Sequence, residues 1–392
     1  MDKYKRIRFF LIKPVSVGLI LVSTLIALVF GELIARQIVN PGDFLLATLT
    51  NDPILGTRIQ PYTSGHDALG FRNPEVPEQA NIVAIGDSLT YGVSAPRDGS
   101  WPHQVGTLLH QPVYNMALGG YGPLEYLYLA EHDAIKLRPH VLLVGFYFGN
   151  DLMDAYYAAH GRPYWYAWRV TNSDSVGKTE FDRAGEAIPK KHFAAIRDWL
   201  SRHSVLYSMM RVTVLRRLAI WEKDRKASQV TSDVQMIWFD PYNPSVRTIF
   251  TPQLRLSAED PKLSSVQEGM RITKQAFASL KNGAEAQGAK LLVVLIPTKE
   301  RAFCRYLEES GEHIPNAFFR LCDAEQQDKE DLEHFFSTRG IAYVDVTGAL
   351  EEKIYEHVKI YPADSDAHPQ AIGYAAIARR VYETLRDQQF KE

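Results

Sequence analysis

Apolar positions along this chain fall into three kinds of run. The first, 14–31, carries no charge and is rich in Leu, Ile and Val. With the apolar residues of 9–12 before it, it is about long enough to span a bilayer. The second kind is short and almost wholly apolar: 82–85, 113–116, 141–146, 291–296 and 341–346. Runs of this length, bounded by turn residues, have the form of strands buried on both faces. The third kind recurs at helical spacing. Val105, Leu108 and Leu109 make one such face, and a second helix is expected over roughly 124–135. Val266, Met270, Thr273, Phe277, Leu280 and Ala284 make another. Tyr374, Ile377, Ala378, Val381 and Leu385 make the last, beginning after Pro369, a favoured first-turn residue.

Strands alternating with helices imply an α/β domain, with a parallel sheet covered by helices on both faces. The rhythm breaks after Asp151 and resumes near residue 265. The segment of about 155–264 therefore reads as an insertion, with a polar stretch (171–185), a helix with a basic side (about 205–223) and clustered aromatics. Three regions follow: a tail and membrane anchor (1–36), a juxtamembrane connector (37–79) and the α/β domain (80–390). The connector holds Asp67, Gly70 and Asn73, which suggest a turn before the first strand.

Charge and cysteine content narrow the surroundings. A formal charge of −2 over 392 residues argues against nucleic acid as a partner, since phosphate binding wants a basic face. Lys3, Lys5, Arg6, Arg8 and Lys13 precede the long apolar run and predict a cytoplasmic N-terminus with the remainder exported. A cleaved signal peptide is the rival reading, but 27–31 is a poor small-x-small cleavage site. In an exported domain Cys304 and Cys322 could form a disulfide; two buried thiols are the alternative. Neither lies in a metal-ligand pattern, and no cofactor is called for.

The candidate chemistry lies where strands end. The first strand stops at Gly86, Asp87 and Ser88, so Ser88 either caps the following helix or stands exposed as a nucleophile. Gly119, Gly120 and Gly122 follow the second strand, and Asn150 with Asp151 follows the third. Asp364, Asp366 and His368 precede the last helix. Ligands bind at the carboxyl edge of such sheets. Taken singly, these are turn residues, a cap and a surface histidine. Together they supply what acyl transfer needs. A serine requires a base to take its proton, and a carboxylate must orient the imidazole that does so. The tetrahedral oxyanion needs fixed N–H donors, which a glycine backbone and an asparagine amide can provide.

At this point Gly86-Asp87-Ser88-Leu89 resembles the GDSL signature of the SGNH hydrolases. Ser88, Gly120, Asn150 and His368 fall where the four blocks of that family place their Ser, Gly, Asn and His. The resemblance covers about 80–155 and 265–390. It implies a flavodoxin-like three-layer α/β/α fold and esterase, lipase or acyltransferase chemistry. It also implies an oxyanion hole of the Ser88 and Gly120 N–H groups and the Asn150 amide. The nearest look-alikes are membrane-anchored, exported members. Some resemble the alginate O-acetylation proteins, which act on polysaccharide beside a membrane-bound O-acyltransferase. The commonest family pattern puts Asp three residues before the His, and here that position is Ser365. His368 precedes a proline, so its backbone should be extended. At ~3.3 Å per residue, Asp366 starts about 6.6 Å away and Asp364 about 13 Å away, which favours Asp366 as the orienting acid. A larger α/β-hydrolase would need Gly at position 90, which is Thr90.

The expected function is therefore cleavage or transfer of a short acyl group, acetyl foremost, on a cell-envelope or exported carbohydrate. The alternatives are a lipid or thioester hydrolase and a non-catalytic carbohydrate-binding subunit of an export machine. Tyr164, Trp165, Tyr166, Trp168, Trp238, Phe239 and Tyr242 could form a sugar-stacking lid, although core packing of the insertion is the simpler account. Arg211, Arg216, Arg217, Lys223, Arg225 and Lys226 could touch anionic lipid or glycan, with a solvated helix face as the simpler account.

Overall fold

The computed structural model describes residues 14–170, 194–211, 213, 234–312 and 314–387. The basic residues before 14, the polar stretch 171–185 and the basic run from Arg216 to Lys226 lie outside them. Helix α1 (Pro14–Ile38) carries the long apolar run. Within Val15–Ile38, 24 residues long, the most apolar 18-residue window has a mean hydropathy of 2.4 and none of it is buried, so the helix is long and apolar enough to cross a membrane.

The connector is more built than its sequence suggests. A 3-10 turn at Pro41–Asp43 leads into an antiparallel hairpin of β1 (Leu49–Asp52) and β2 (Gly56–Ile59). The turn expected at 67–73 is present, and its polar residues are buried. Asp67 accepts from the N–H groups of Leu69 and Phe71 and from the Tyr114 hydroxyl. The Asn73 amide exchanges hydrogen bonds with the Asn115 backbone.

The α/β domain starts at β3 (Ile82–Gly86), followed by α2 (Ser88–Tyr91), α3 (Trp101–Leu109), β4 (Val113–Asn115), α4 (Pro123–His132) and β5 (Val141–Tyr147). Helix α5 (Asp151–Gly161) comes next. The sequence pattern placed the break at Asp151, but α5 still belongs to the helical layer. Its Ala155, Ala158 and Ala159 pack against Ile272 and Ala276, small residues that let two helices approach closely. The insertion supplies α6 (Ala194–His203), α7 (Val205–Met210), a hairpin of β6 (Met236–Phe239) and β7 (Arg247–Phe250), and α8 (Pro252–Glu259). Helix α9 (Ser264–Ala286) and β8 (Lys290–Ile296) return to the main pattern. Two helices unmarked in the apolar pattern follow, α10 (Lys299–Ser310) and α11 (Asn316–Arg339), then β9 (Ala342–Asp345), α12 (Thr347–Tyr355) and α13 (Ala371–Asp387).

Five parallel strands form the main sheet in the order β4-β3-β5-β8-β9. Counted within that sheet the order is 2-1-3-4-5, the flavodoxin-like doubly wound arrangement. Alternate residues of each strand serve opposite faces. Ile82, Ala84, Leu143, Leu292 and Val294 join Trp101, Tyr374 and Ile377 on one side. Val83, Ile85, Leu142, Val144, Val293 and Leu295 join Tyr126, Phe277 and Leu280 on the other. The structure is therefore a three-layer α/β/α sandwich.

Cys304 and Cys322 form a disulfide between α10 and α11, with Cα atoms 6.2 Å apart. Of the insertion aromatics, Trp165 and Trp238 are buried; Trp238 packs edge-on against Phe303 and Tyr306. Tyr164, Tyr166, Phe239 and Tyr242 are exposed.

Candidate active site

The turn after β3 settles what Ser88 does locally. Asp87, not Ser88, is the N-cap of α2, its Oδ1 accepting from Leu89 N–H at 2.8 Å. The serine hydroxyl is thus free of capping duty. The turn is tight because Gly86 faces Gly145 across β3 and β5 with Thr90 lodged against both. A Cβ on either glycine would come 2.1 Å from the Thr90 hydroxyl.

Ser88 Oγ donates to His368 Nε2 at 2.7 Å. His368 Nδ1 lies 2.6 Å from Asp366 Oδ1. An ionised carboxylate only accepts, so Nδ1 carries the proton and Nε2 is left to accept from serine. Asp366 is fastened further: its Oδ1 accepts His368 N–H at 3.1 Å and its Oδ2 accepts from the Ser94 hydroxyl. Burial works against its charge, but these hydrogen bonds and the neighbouring imidazole outweigh that and hold the carboxyl far below the usual range. Asp364 makes no described hydrogen bond to the imidazole. Its Oδ1 accepts Asp366 N–H at 3.2 Å, bracing the turn that presents the nearer acid.

The other two blocks converge on the same edge. Leu118 N–H donates to Gly86 O at 3.2 Å, which brings the glycine loop beside the serine. A Cβ on Gly119 would lie 3.4 Å from Ser88 Cβ, and Gly120 follows at φ 84°, a left-handed conformation that favours glycine. Asn150 is the N-cap of α5, and its amide Nδ2 donates to Asp154 one turn on. One amide proton is so engaged, which fixes the plane of the side chain and leaves the second to point elsewhere. The chain has a flavodoxin-like doubly wound sheet with a hydrogen-bonded Ser-His-Asp line at its carboxyl edge.

No family model and no curated protein matches the sequence. Among solved structures, the chain is similar to an acetylxylan esterase from Geobacillus stearothermophilus at 12% identity, covering 81% of this chain and 97% of that one with a TM-score of 0.39. It is also similar to a GDSL-like lipase from Bacteroides thetaiotaomicron at 10% identity, covering 80% and 93% with a TM-score of 0.35.

Several residues of this site escape a motif-based search. Asp87 is fully buried with its Oδ2 3.3 Å from Ser88 Oγ, and burial pushes its carboxyl up to about 6. Ser94 acts on Asp366 across 272 residues, a separation that no local pattern marks, and Asp154 acts on Asn150 from one helical turn away. Lys299 is the least expected. Its buried Nζ lies 3.0 Å from Thr248 Oγ1, 2.7 Å from Ile249 O, 3.3 Å from Asp364 O and 3.1 Å from Asp366 O. Three ammonium protons serve four acceptors, and burial pulls the group down to about 8. Lys299 thereby pins the insertion hairpin to the loop that carries Asp366 and His368. Only its place, three residues past the end of β8, hints at this in the sequence.

Proposed function

We propose that this chain is a membrane-anchored serine esterase or O-acyltransferase. It would cleave or transfer a short acyl group, acetyl foremost, on a cell-envelope or exported carbohydrate. The observation that carries the proposal is the hydrogen-bonded line Asp366–His368–Ser88 at the carboxyl edge of the sheet. His368 Nε2 takes the Ser88 proton as Oγ attacks the acyl carbonyl. The resulting oxyanion is held by the Ser88 and Gly120 N–H groups and the Asn150 amide. Collapse expels the alcohol, which His368 protonates, and leaves the acyl group on Ser88. Water then completes hydrolysis, or a second hydroxyl completes transfer.

Anchoring through α1, with the basic N-terminal residues on the cytoplasmic side, supports an exported catalytic domain. That location and the resemblance to polysaccharide O-acetylation proteins favour a carbohydrate substrate and a membrane-bound O-acyltransferase as partner. The test is Ser88→Ala assayed on a chromogenic acetyl ester, with mass spectrometry of surface glycans from cells carrying either form. The variant should fold and lose turnover, and glycan acetylation should change. Wild-type rates from the variant would exclude the serine mechanism. An unchanged glycan with lost esterase activity would move the substrate to lipid or thioester.

A further inference from the structure

Helix α6 is a short amphipathic element that the catalytic reading leaves without a task. Ile196 and Trp199 are 55% and 58% exposed and three residues apart, so they share one side of the helix. Ser201 is the one buried residue of the helix, at its C-terminal end. That end is fastened to the anchor. Arg36 Nη2 donates to His203 O at 2.6 Å. Glu32 accepts from the Ser204 hydroxyl at 2.8 Å and from the N–H groups of Val205 and Leu206 at 2.9 and 3.0 Å. Glu32 and Arg36 also pair with each other at 2.8 Å. The chain leaving α1 ties back to the same helix: Leu46 N–H donates to Ser201 O at 2.9 Å, and Arg202 Nη1 to Ala47 O at 2.6 Å.

We propose that Ile196 and Trp199 insert into the headgroup region of the bilayer that α1 crosses, making α6 a second, interfacial contact with lipid. The proposal rests on the anchored reading of α1. The depth follows from lengths. Val15–Ile38 is 24 residues, about 36 Å at 1.5 Å per residue, against ~30 Å of hydrocarbon. Glu32 and Arg36 occupy its last two turns, and charge within hydrocarbon is costly, so the hydrocarbon boundary falls near Glu32. Ser204 is hydrogen-bonded to that residue. Along a helix Trp199 lies about 7.5 Å from Ser204, and each headgroup layer is about 5–8 Å thick. Trp199 therefore lies within about one headgroup-layer thickness of that boundary, the interfacial zone where tryptophan is favoured. His203 stacks on one face of its ring, with centroids 5.0 Å apart. Arg197, beside the stripe, is exposed and suits anionic lipid, while Asp198 is paired with Arg202 at 3.0 Å.

The contact also bears on the site. Asp43, just past the anchor, pairs with Arg72 at 2.8 Å and accepts Arg97 N–H at 2.7 Å. Arg72 in turn donates to Gly92 O at 3.1 Å and Ala95 O at 3.0 Å, bracketing the Ser94 that holds Asp366. A rigid line therefore runs from the anchor to the triad. Lipid contact by α6 would constrain the tilt of that frame relative to the bilayer.

The test places the full-length chain in vesicles of phosphatidylcholine and phosphatidylglycerol. Single cysteines replace Ile196, Trp199, Leu21 in the span or exposed Tyr242, each carrying an environment-sensitive fluorophore; the native cysteines are joined and do not label. Lipids carrying a nitroxide at the headgroup or deep in the acyl chain then quench by depth. Headgroup nitroxide should remove most of the emission at 196 and 199, deep nitroxide most of that at 21, and neither should dim 242. Unquenched probes at 196 and 199 with a quenched probe at 21 would overturn the proposal and leave the anchor standing. An unquenched probe at 21 would overturn the anchor, and the proposal with it. Neither result would touch the triad, which the soluble-ester assay of Ser88→Ala reads separately.

Discussion

Asp366 reaches His368 because a short turn before Pro369 sets their side chains together, and Asp364 braces that turn from behind. The two acids therefore have different work, one electrostatic and one conformational. Asp366→Asn keeps the shape but favours the wrong imidazole tautomer, and kcat should fall by up to about 10⁴ if the site behaves as a Ser-His-Asp triad. Asp364→Asn retains an oxygen that can accept Asp366 N–H and should change the rate little. Both are measured on one activated ester; a large loss confined to Asp364→Asn would reverse the assignment. Asn150 is held in the same manner. Asn150→Ala should lower kcat by roughly 10²–10³ with little change in KM, the usual loss for one oxyanion donor. Asp154→Ala should give a smaller fall, since the amide remains but is no longer held in plane. If Asn150→Ala moves KM alone, the amide binds substrate rather than the oxyanion.

At the scale of elements, the insertion is not appended to the catalytic domain but laced into it. Its hairpin meets the histidine loop through Ile249 N–H to Asp364 O at 3.3 Å and through Lys299. Lys299→Met keeps a long stem and removes the donors, leaving buried carbonyls unpaired at a cost of about 1–3 kcal/mol each. The expected result is a lower melting temperature together with a fall in kcat, because Asp366 loses its backbone tether. Thr248→Val, which removes one acceptor and leaves the rest, should spare kcat. A Lys299→Met enzyme with an unchanged kcat and pH profile would make the lysine merely structural. Such links explain what could be read from the sequence. The central strands β3, β5 and β8 were legible because burial on both faces makes them almost wholly apolar, and α9 and α13 because each shows one clean stripe. Helices α10 and α11 were not. Both bury polar residues on the faces where a pattern of apolar spacing expects carbon: Lys299 and Glu300 in one, Glu325 and Asp328 in the other. The four site blocks were legible because each sits at a strand end or before a helix. Ser94 and Lys299 were hidden because their meaning depends on what lies opposite them in space.

Across the whole molecule, the same polar residues make an acidic interior with a thermodynamic signature. Burial, followed by the charge of Glu325, holds Glu259 well above its ordinary range. Burial pushes Glu325 up to about 7 and Asp328 up to about 8. A carboxyl whose folded pKa exceeds its unfolded value binds more protons in the folded state. Stability from these groups is therefore complete below the unfolded value and declines as pH rises through the folded one. The affected window runs from about pH 4 to about pH 8, opposite in sense to Asp366, whose lowered pKa contributes stability that is lost only on strong acidification. The protein should melt at a lower temperature at about pH 8 than at about pH 5.5 once ordinary surface charges are screened by salt. Glu259→Gln removes one ionisation and keeps a group of similar size. Its melting temperature should equal or trail that of the wild type at the acidic end and exceed it at the alkaline end, so that the two curves cross or converge. Activity on a soluble ester should be retained, since Glu259 lies on α8 and makes no contact with Ser88, Asp366 or His368 among the described hydrogen bonds. Parallel melting curves across the whole range would show that Glu259 does not titrate with folding, and that the acidic interior is neutralised by some other means.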